Sequence, residues 1–244
     1  MRELSAYELL DIWDRGLKAP PTEKAQLLLS GANPDRTPEE LSRLCIGNRD
    51  ALLLEMLEKY FAINIAARSV CPGCKMDLEL NLCLQDLKAQ SSTQAELSGI
   101  LNIEGYEVEF RLPDSLDLYA ASQCSDLESA RRMLIDRCVS RVCNYGEPCG
   151  AADLPPLIQE AISVRMGELD PQANIVINLT CPSCRRKWTS SFDVVLFLWS
   201  QVDAWARRTL WEVHLLAASY GWSEADILAM SQLRRQAYME MIQS

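Results

Sequence analysis

From Leu4 to Phe61 the apolar positions recur three and four apart, the spacing of helices that bury one face. Ser5-x-x-Glu8 is a capping box ahead of an apolar face of Leu9, Ile12 and Trp13, and Gly16 follows it. Pro20-Pro21-Thr22 opens a second helix that runs through Leu29 and is closed by Gly31. Thr37-Pro38-Glu39-Glu40 combines a capping box with a proline at the first helical position, and this helix is expected to close near Gly47. Asn48-Arg49-Asp50 starts a fourth, with Leu53, Leu54, Leu57 and Phe61 on one face. All of these apolar residues read as core.

The period then changes from helical to two. Ile63, Ile65 and Ala67 alternate with Asn64, Ala66 and Arg68; Met76, Leu78, Leu80 and Leu82 alternate with Lys75, Asp77, Glu79 and Asn81. Such alternation is that of a half-buried strand. Between the two runs stands Cys71-Pro72-Gly73-Cys74. The same arrangement returns about a hundred residues later, where Ile175, Ile177 and Leu179 lead into Cys181-Pro182-Ser183-Cys184 and Trp188 and Phe192 follow. Aligned on their cysteines, Ile65 matches Ile175 and Leu82 matches Phe192. Each half reads as a hairpin with a cysteine pair at its tip, and the two together as a diverged internal duplication.

A Cys-x-x-Cys turn aims two sulfurs at one cation, and two such turns supply the four ligands of a tetrahedral site. Thiolates are soft ligands that suit zinc or iron–sulfur centres better than magnesium or calcium. The pattern therefore points to one structural zinc per chain, held by Cys71, Cys74, Cys181 and Cys184. Disulfides or a dithiol redox centre, buried cysteines without metal, and two separate metal sites are the alternatives. The linker between the pairs far exceeds the roughly 15–20 residues of a compact ribbon, so this site must join distant parts of the chain.

Between the halves, Gln85 to Ser98 reads as a loop after a short helix, and Gly105 to Leu112 as a further strand with Tyr106, Val108 and Phe110 on one side. Residues 114–170 read as helical. Asp114 and Ser115 cap one helix, Ser125-x-x-Glu128 caps another, Asn144-Tyr145-Gly146-Glu147-Pro148 breaks it, and Pro155-Pro156 opens a third running to about Glu168. Cys124, Cys138, Cys143 and Cys149 lie in this stretch without knuckle spacing, as small buried thiols do. From Val194 to about Tyr220 an apolar stripe of 3.6 period predicts one long helix, with Gly221 placed to end it. Ser223 caps a short helix after it and Ser231 a last one. The expected organisation is a helical N-terminal region (1–61), a first ribbon half with the following strand (62–112), a helical insert (113–171), a second ribbon half (172–193), and a C-terminal long helix with two short ones (194–244). The fold class is α+β, mainly helical, with a split zinc ribbon and a small antiparallel sheet formed by the two CPxC hairpins.

Composition narrows what such a chain does. Apolar residues make up 48% and charged residues 24%, and the net charge is −10. That balance is ordinary for a folded protein. It argues against nucleic acid, whose binding rests on Lys and Arg neutralising phosphates, and against an anionic membrane surface. No apolar run reaches the ~18 residues of a membrane span, and Met1-Arg2-Glu3-Leu4-Ser5 lacks a signal-peptide core, so the chain is expected to be cytoplasmic when made. In a reducing compartment, 10 cysteines favour metal binding and buried thiols over disulfides. Enzyme signatures are scarce. There is no GxSxG, P-loop, GxGxxG or HExxH, and the single histidine, His214, falls inside the long helix. A thiol oxidoreductase would place its CPxC at a helix N-terminus, whereas both pairs here run into strand-like alternation.

The tail also carries a candidate partner surface. Trp199, Trp205, Trp211 and Trp222 crowd it; Trp211 lies off the core stripe, and Arg207, Arg208, Arg234, Arg235 and Tyr238 stand nearby. Aromatic residues and Arg are enriched at interface hot spots. The other reading is core tryptophans with a solvated arginine face.

Several stretches resemble one family. They are Leu44-Cys45-Ile46-Gly47-Asn48-Arg49-Asp50-Ala51-Leu52-Leu53, Val70-Cys71-Pro72-Gly73-Cys74, Gly105-Tyr106-Glu107-Val108-Glu109-Phe110-Arg111-Leu112-Pro113 and Cys181-Pro182-Ser183-Cys184. Trp205-Ala206-Arg207-Arg208, Glu212-Val213-His214 and Tyr220-Gly221-Trp222-Ser223-Glu224-Ala225-Asp226-Ile227-Leu228 follow. In order and spacing these resemble the T4-type baseplate hub assembly chaperones of contractile-tailed phages and of related extracellular contractile injection systems. The resemblance implies a non-enzymatic protein that helps to build, or joins, the central hub of a contractile baseplate. It implies hub or spike proteins as partners, no small-molecule substrate, and incorporation into a phage-tail-like particle as one fate. A zinc-ribbon adaptor in another protein complex is the alternative.

Overall fold

The computed structural model of the chain describes residues 1–61, 63–89 and 97–243. It is α+β, mainly helical, with small antiparallel sheets. In chain order, α1 (Ala6–Gly16), α2 (Pro21–Ala32), α3 (Pro38–Ser42) and α4 (Ile46–Tyr60) lead into β1 (Asn64–Val70) and β2 (Asp77–Cys83). Next come β3 (Ser98–Ile103), β4 (Tyr106–Arg111), α5 (Ser115–Ser122), α6 (Leu127–Cys138), β5 (Val139–Asn144), β6 (Glu147–Pro148) and α7 (Pro156–Leu169). β7 (Val176–Thr180), β8 (Lys187–Ser191), α8 (Val194–Tyr220), α9 (Glu224–Leu228) and α10 (Gln232–Gln243) complete the order. The chain divides into two compact units, one of Met1–Thr37 with Val195–Ser244 and the other of Pro38–Val194.

The first unit is helical. Its core gathers Leu10, Ala206, Val213, Leu216, Ile227, Leu228 and Met239. Local sequence sets its helix ends. The Ser5 hydroxyl accepts from the Glu8 N–H at 3.3 Å while the Glu8 carboxylate accepts from the Ser5 N–H at 2.9 Å, which satisfies two donors that a helix start leaves orphaned. Gly221, at φ 69°, ends α8 in the left-handed region that residues with a Cβ avoid. The indole N–H of Trp13 donates to Asp203 at 2.8 Å, and the Lys24 ammonium sits 5.0 Å from the Trp199 ring.

The second unit holds the strands. β1 and β2 form one antiparallel hairpin and β7 and β8 another; a third sheet has the order β3-β4-β5-β6. That sheet covers a core of Val108, Phe110, Ile135, Val142, Leu154, Ile158 and Ile162, with α6 and α7 packed on it. Asp117, fully buried on α5, accepts from Arg111 at 2.5 Å and from Arg137 at 2.8 Å. Burial alone would raise its pKa, but these two guanidiniums and the Asp114 N–H hold it well below the usual carboxylate range.

Three expectations need correction. Gly47 does not end the third helix. That helix stops at Ser42, and Gly47 is the second residue of α4, which starts at Ile46. The glycine is there for space: a Cβ on it would lie 1.7 Å from an Asp170 oxygen. The stretch read as a helical insert is only partly helical, since β5 and β6 follow α6 and complete the sheet begun by β3 and β4. Residues 139–143 lie where the second helix is expected to run on to its break at Asn144, yet the pairing of Val139 with Phe110 and of Val142 with Val108 decides their conformation. α6 is capped by Asp126, which accepts from the Ser129 N–H at 2.9 Å, and not by Ser125. Of the expected loop over Gln85 to Ser98, residues 90–96 lie outside the described residues, while Leu84–Leu87 is a 3-10 turn and Ser98 begins β3.

Candidate metal centre

The two hairpins have one geometry. Ile65 pairs with Leu82, Ser69 with Leu78 and Val70 with Asp77; in the second half Leu179 pairs with Trp188 and Thr180 with Lys187, which is the same register once the cysteines are aligned. The turns repeat as well. The Cys71 N–H donates to the Met76 carbonyl and the Cys181 N–H to the Arg186 carbonyl, both at 2.9 Å. The Lys75 N–H donates to the Cys71 carbonyl and the Arg185 N–H to the Cys181 carbonyl, both at 3.0 Å. Lys75 and Arg185 have φ of 62° and 60°. Two non-glycine residues held left-handed at matched positions mark a turn that the surrounding geometry over-determines.

These turns bring the four predicted thiols together. The sulfurs of Cys71, Cys74, Cys181 and Cys184 all lie within 4.8 Å of one another, the one such group of potential ligands among the described residues. Cys71 Sγ is 3.6 Å from Cys184 Sγ, and Cys74 Sγ is 3.5 Å from Cys181 Sγ. Thiolates placed tetrahedrally at about 2.3 Å from one ion stand about 3.8 Å apart, whereas a disulfide holds its sulfurs at about 2.05 Å. The spacing fits ligation and not oxidation, and all ten cysteines are free. Each half contributes one buried and one exposed ligand, with Cys71 and Cys181 inside. Beneath them pack Leu78, Leu80 and Trp188.

The backbone prepares the inner sulfurs for charge. The N–H groups of Cys74 and Gly73 point at Cys71 Sγ and bring its pKa down to about 6; those of Cys184 and Ser183 lower that of Cys181. At Cys184 the Arg186 N–H also favours the thiolate, but burial and the neighbouring sulfurs outweigh it and push the thiol up to about 11. Four negative sulfurs in so small a volume repel one another unless a cation sits among them.

A buried clamp at the base of the ribbon positions the two halves. Cys45, the residue before α4, offers no side-chain cap. Asp170, which immediately precedes the second ribbon half, supplies it: its carboxylate accepts from the Gly47 N–H at 2.8 Å. Gln172 donates to the Leu87 carbonyl at 3.1 Å and accepts from the Ala89 N–H at 2.5 Å. The helix entering the first hairpin, the turn leaving it and the segment entering the second are thereby tied to one another. Periodicity could not reveal this clamp. Its sequence signal was a glycine where a helix had no reason to stop, and a lone Asp-Pro before the second half.

The other candidates stay apart from this centre. Cys124, Cys138, Cys143 and Cys149 do not gather into a metal-ligating group among the described residues. Burial, with the Asp117 carboxylate beside it, pushes the Cys138 thiol up to about 12, the state of an unreactive sulfhydryl. In the helical unit, Trp211 is 51% exposed on α8. Arg208 and Arg234 are exposed, Arg207 pairs with Asp203 at 2.8 Å, and Trp222 and Tyr238 are half-buried in an aromatic group with Tyr220. Arg235 corrects the expectation of a partner contact: it is 4% exposed, donates to Glu212 at 3.1 Å and to the Met230 carbonyl at 2.8 Å, and so serves packing. His214 is exposed on α8. No helix among the described residues is long and apolar enough to cross a membrane.

The fold and site together define a mainly helical α+β protein with a split ribbon whose four cysteines are placed to hold one metal ion. Residues 26–199 match the family of T4 bacteriophage base plate proteins. The match covers well over half of the chain, and the chain belongs to that family. No curated protein and no solved structure matches it.

Proposed function

We propose that the chain is a non-enzymatic, zinc-containing assembly factor or structural component of the hub of a contractile-tail or injection-system baseplate. It acts through contacts with hub or spike proteins, is made in the cytoplasm, and is incorporated into the particle or released from it once the hub is built. The family match carries this reading over that of an adaptor in an unrelated complex. Cys71, Cys74, Cys181 and Cys184 hold the metal. Four thiolates without a carboxylate or an open ligand position favour structural zinc, which neutralises the sulfurs and ties the two halves of the ribbon together. Trp211, Arg207, Arg208, Arg234, Trp222 and Tyr238 of the helical unit are proposed as partner contacts.

Particle-producing cells test the function. With the gene deleted, sheath and tube are expected without complete baseplates, and the tagged chain is expected to co-purify with hub proteins identified by mass spectrometry. Normal particles from the deletion strain would sink the proposal. The metal is tested separately by elemental analysis of purified protein, with one zinc per chain expected. Iron in place of zinc would overturn the identity of the metal, and two ions per chain, or metal retained by the Cys71→Ser, Cys184→Ser double variant, would refute the site.

A further inference from the structure

The ribbon tips carry a second feature that metal binding does not require. Lys75 and Arg185 follow the second cysteine of each knuckle, and Arg186 and Lys187 extend the second one. All four are exposed, and none makes an ion pair among the described residues. Arg186 reaches across to the first knuckle: a Cβ on Gly73 would meet its Cδ at 2.9 Å. The cations therefore sit over both turns of a chain whose net charge is −10. The first knuckle adds apolar surface instead, with Val70 54% and Met76 42% exposed. The duplicated halves differ here, since the positions of Arg186 and Lys187 in the second are Met76 and Asp77 in the first.

We propose that the paired tips, with Lys75, Arg185, Arg186 and Lys187 beside exposed Val70 and Met76, form a docking surface for an Asp/Glu-rich surface of a partner protein. A divalent ion with four thiolates carries a net charge of about −2, so four cations exceed what neutrality of the centre asks for. The backbone bonds of both turns, and a metal between them when bound, fix where the four side chains start, so that pairing costs side-chain freedom but no ordering of the turns. Exposed Met and Val among arginines make an interface mixture, in which apolar contact gives affinity and charge gives orientation and encounter rate. A nucleic acid fits worse. Its charge continues past the small tip onto an acidic body, whereas an acidic patch on a protein can end where the cations end. The inference holds whichever complex the chain helps to build.

The test uses full-length, metal-loaded protein and a short fluorescein-labelled peptide of Glu, Asp and Leu, with a duplex DNA oligonucleotide as competitor. The Arg185→Gln, Arg186→Gln, Lys187→Gln variant is expected to bind the peptide about tenfold more weakly, from three screened pairs of ordinary strength. A control with equal charge change elsewhere, Lys18→Gln, Lys59→Gln, Arg132→Gln, should bind as the natural protein does. Metal content and melting are checked first; if the triple variant loses metal, Lys187→Glu, outside the turn, takes its place. Absent or unchanged peptide binding, or equal loss in the control, overturns the proposal. So does DNA bound more tightly than peptide through the same residues, or salt-sensitive dimerisation that the triple variant abolishes, which would make the occupant a second copy of this chain.

Discussion

The two units are held by different means. The helical unit joins the two ends of the chain, and its Trp13–Asp203 bond spans 190 residues. What closes it, however, is mainly a contiguous apolar cluster along α8, and its helix ends are fixed by residues three or four positions away, as at Ser5 with Glu8 and Ser223 with Asp226. In the strand-bearing unit the decisive ties cross long stretches of chain. Asp170 caps a helix 123 residues earlier, Gln172 reaches back 85 to Leu87, and Cys71 meets Cys184 across 113. Local ties form wherever the segment forms. Long-range ties must first overcome loop closure, so they need strong partners: a buried carboxylate, a two-ended amide, or a metal ion. The strand-bearing unit is accordingly the one expected to fail when a single partner is removed.

Metal removal is the largest test of that difference. Structural zinc sites couple binding to folding with apparent free energies on the order of 10 kcal/mol. Chelation, or Cys181→Ser, is expected to lower the transition of the strand-bearing unit by about 10 °C or more while much of the α8 helical signal survives, read by calorimetry with far-ultraviolet circular dichroism. A single unchanged transition would erase the distinction. The converse perturbation is Leu216→Ala. Leu216 is fully buried in the helical core, and its truncation should cost about 3 kcal/mol. Zinc content is expected to stay at one per chain; loss of metal in this variant would mean that the units do not fail separately.

Legibility follows the same line. The Ser5–Glu8 capping box, the proline starts of α2 and α7, the stop at Gly221 and the thiol set of the ribbon were open to sequence reasoning because each is a short pattern with its own chemistry. β5 was not: Val139–Asn144 has no alternation that outweighs its position after a helix, and only pairing with β4 makes it a strand. The clamp was hidden because Gly47 reads as a helix stop and Asp170-Pro171 as a turn until the fold places them together. At Arg235 the composition was right and the direction wrong, because charge alone does not tell whether a guanidinium faces water or the Glu212 carboxylate.

The clamp itself supplies the next test. Asp170→Ala leaves the Gly47 N–H buried and without its acceptor, which should cost about 2 kcal/mol. The loss is expected in the strand-bearing unit and should be accompanied by weaker zinc retention in competition with a chelator, because the clamp aligns the two hairpins. Undiminished zinc retention would make the clamp a cap and nothing more.

The smallest effect separates the units by the sign of their response to pH. In the helical unit the shifted carboxylates move down: Glu8, bonded by Arg2 and by Ser5, to about 2, and Asp203, bonded by Arg207 and Trp13. Such groups contribute stability above their unfolded pKa and lose it in acid. In the strand-bearing unit Asp50 moves the other way. Burial raises it from 3.8 to about 6 despite its bond from Arg49, with Asp193 and Asp170 adding repulsion. A carboxyl whose folded pKa lies above its unfolded one binds more protons when folded, so stability falls as pH rises through about 6. Between pH 5 and 7 the Asp50 contribution amounts to about 1 kcal/mol. Lowered carboxylates, Asp117 included, are ionised in both states across that window and add little slope. The raised Asp170 adds to the Asp50 term, whereas Cys71, brought down to about 6, together with metal-bound thiolates opposes it. Asp50→Asn removes the titration. It leaves the Arg49 charge without its anion and so lowers stability at every pH, but the change in stability of the strand-bearing unit from pH 5 to pH 7 should become about 1 kcal/mol more favourable than in the natural protein, while the helical unit keeps its profile. An equal slope in natural and variant protein would mean that the Arg49 pair holds Asp50 ionised throughout, and that the two units respond to pH alike.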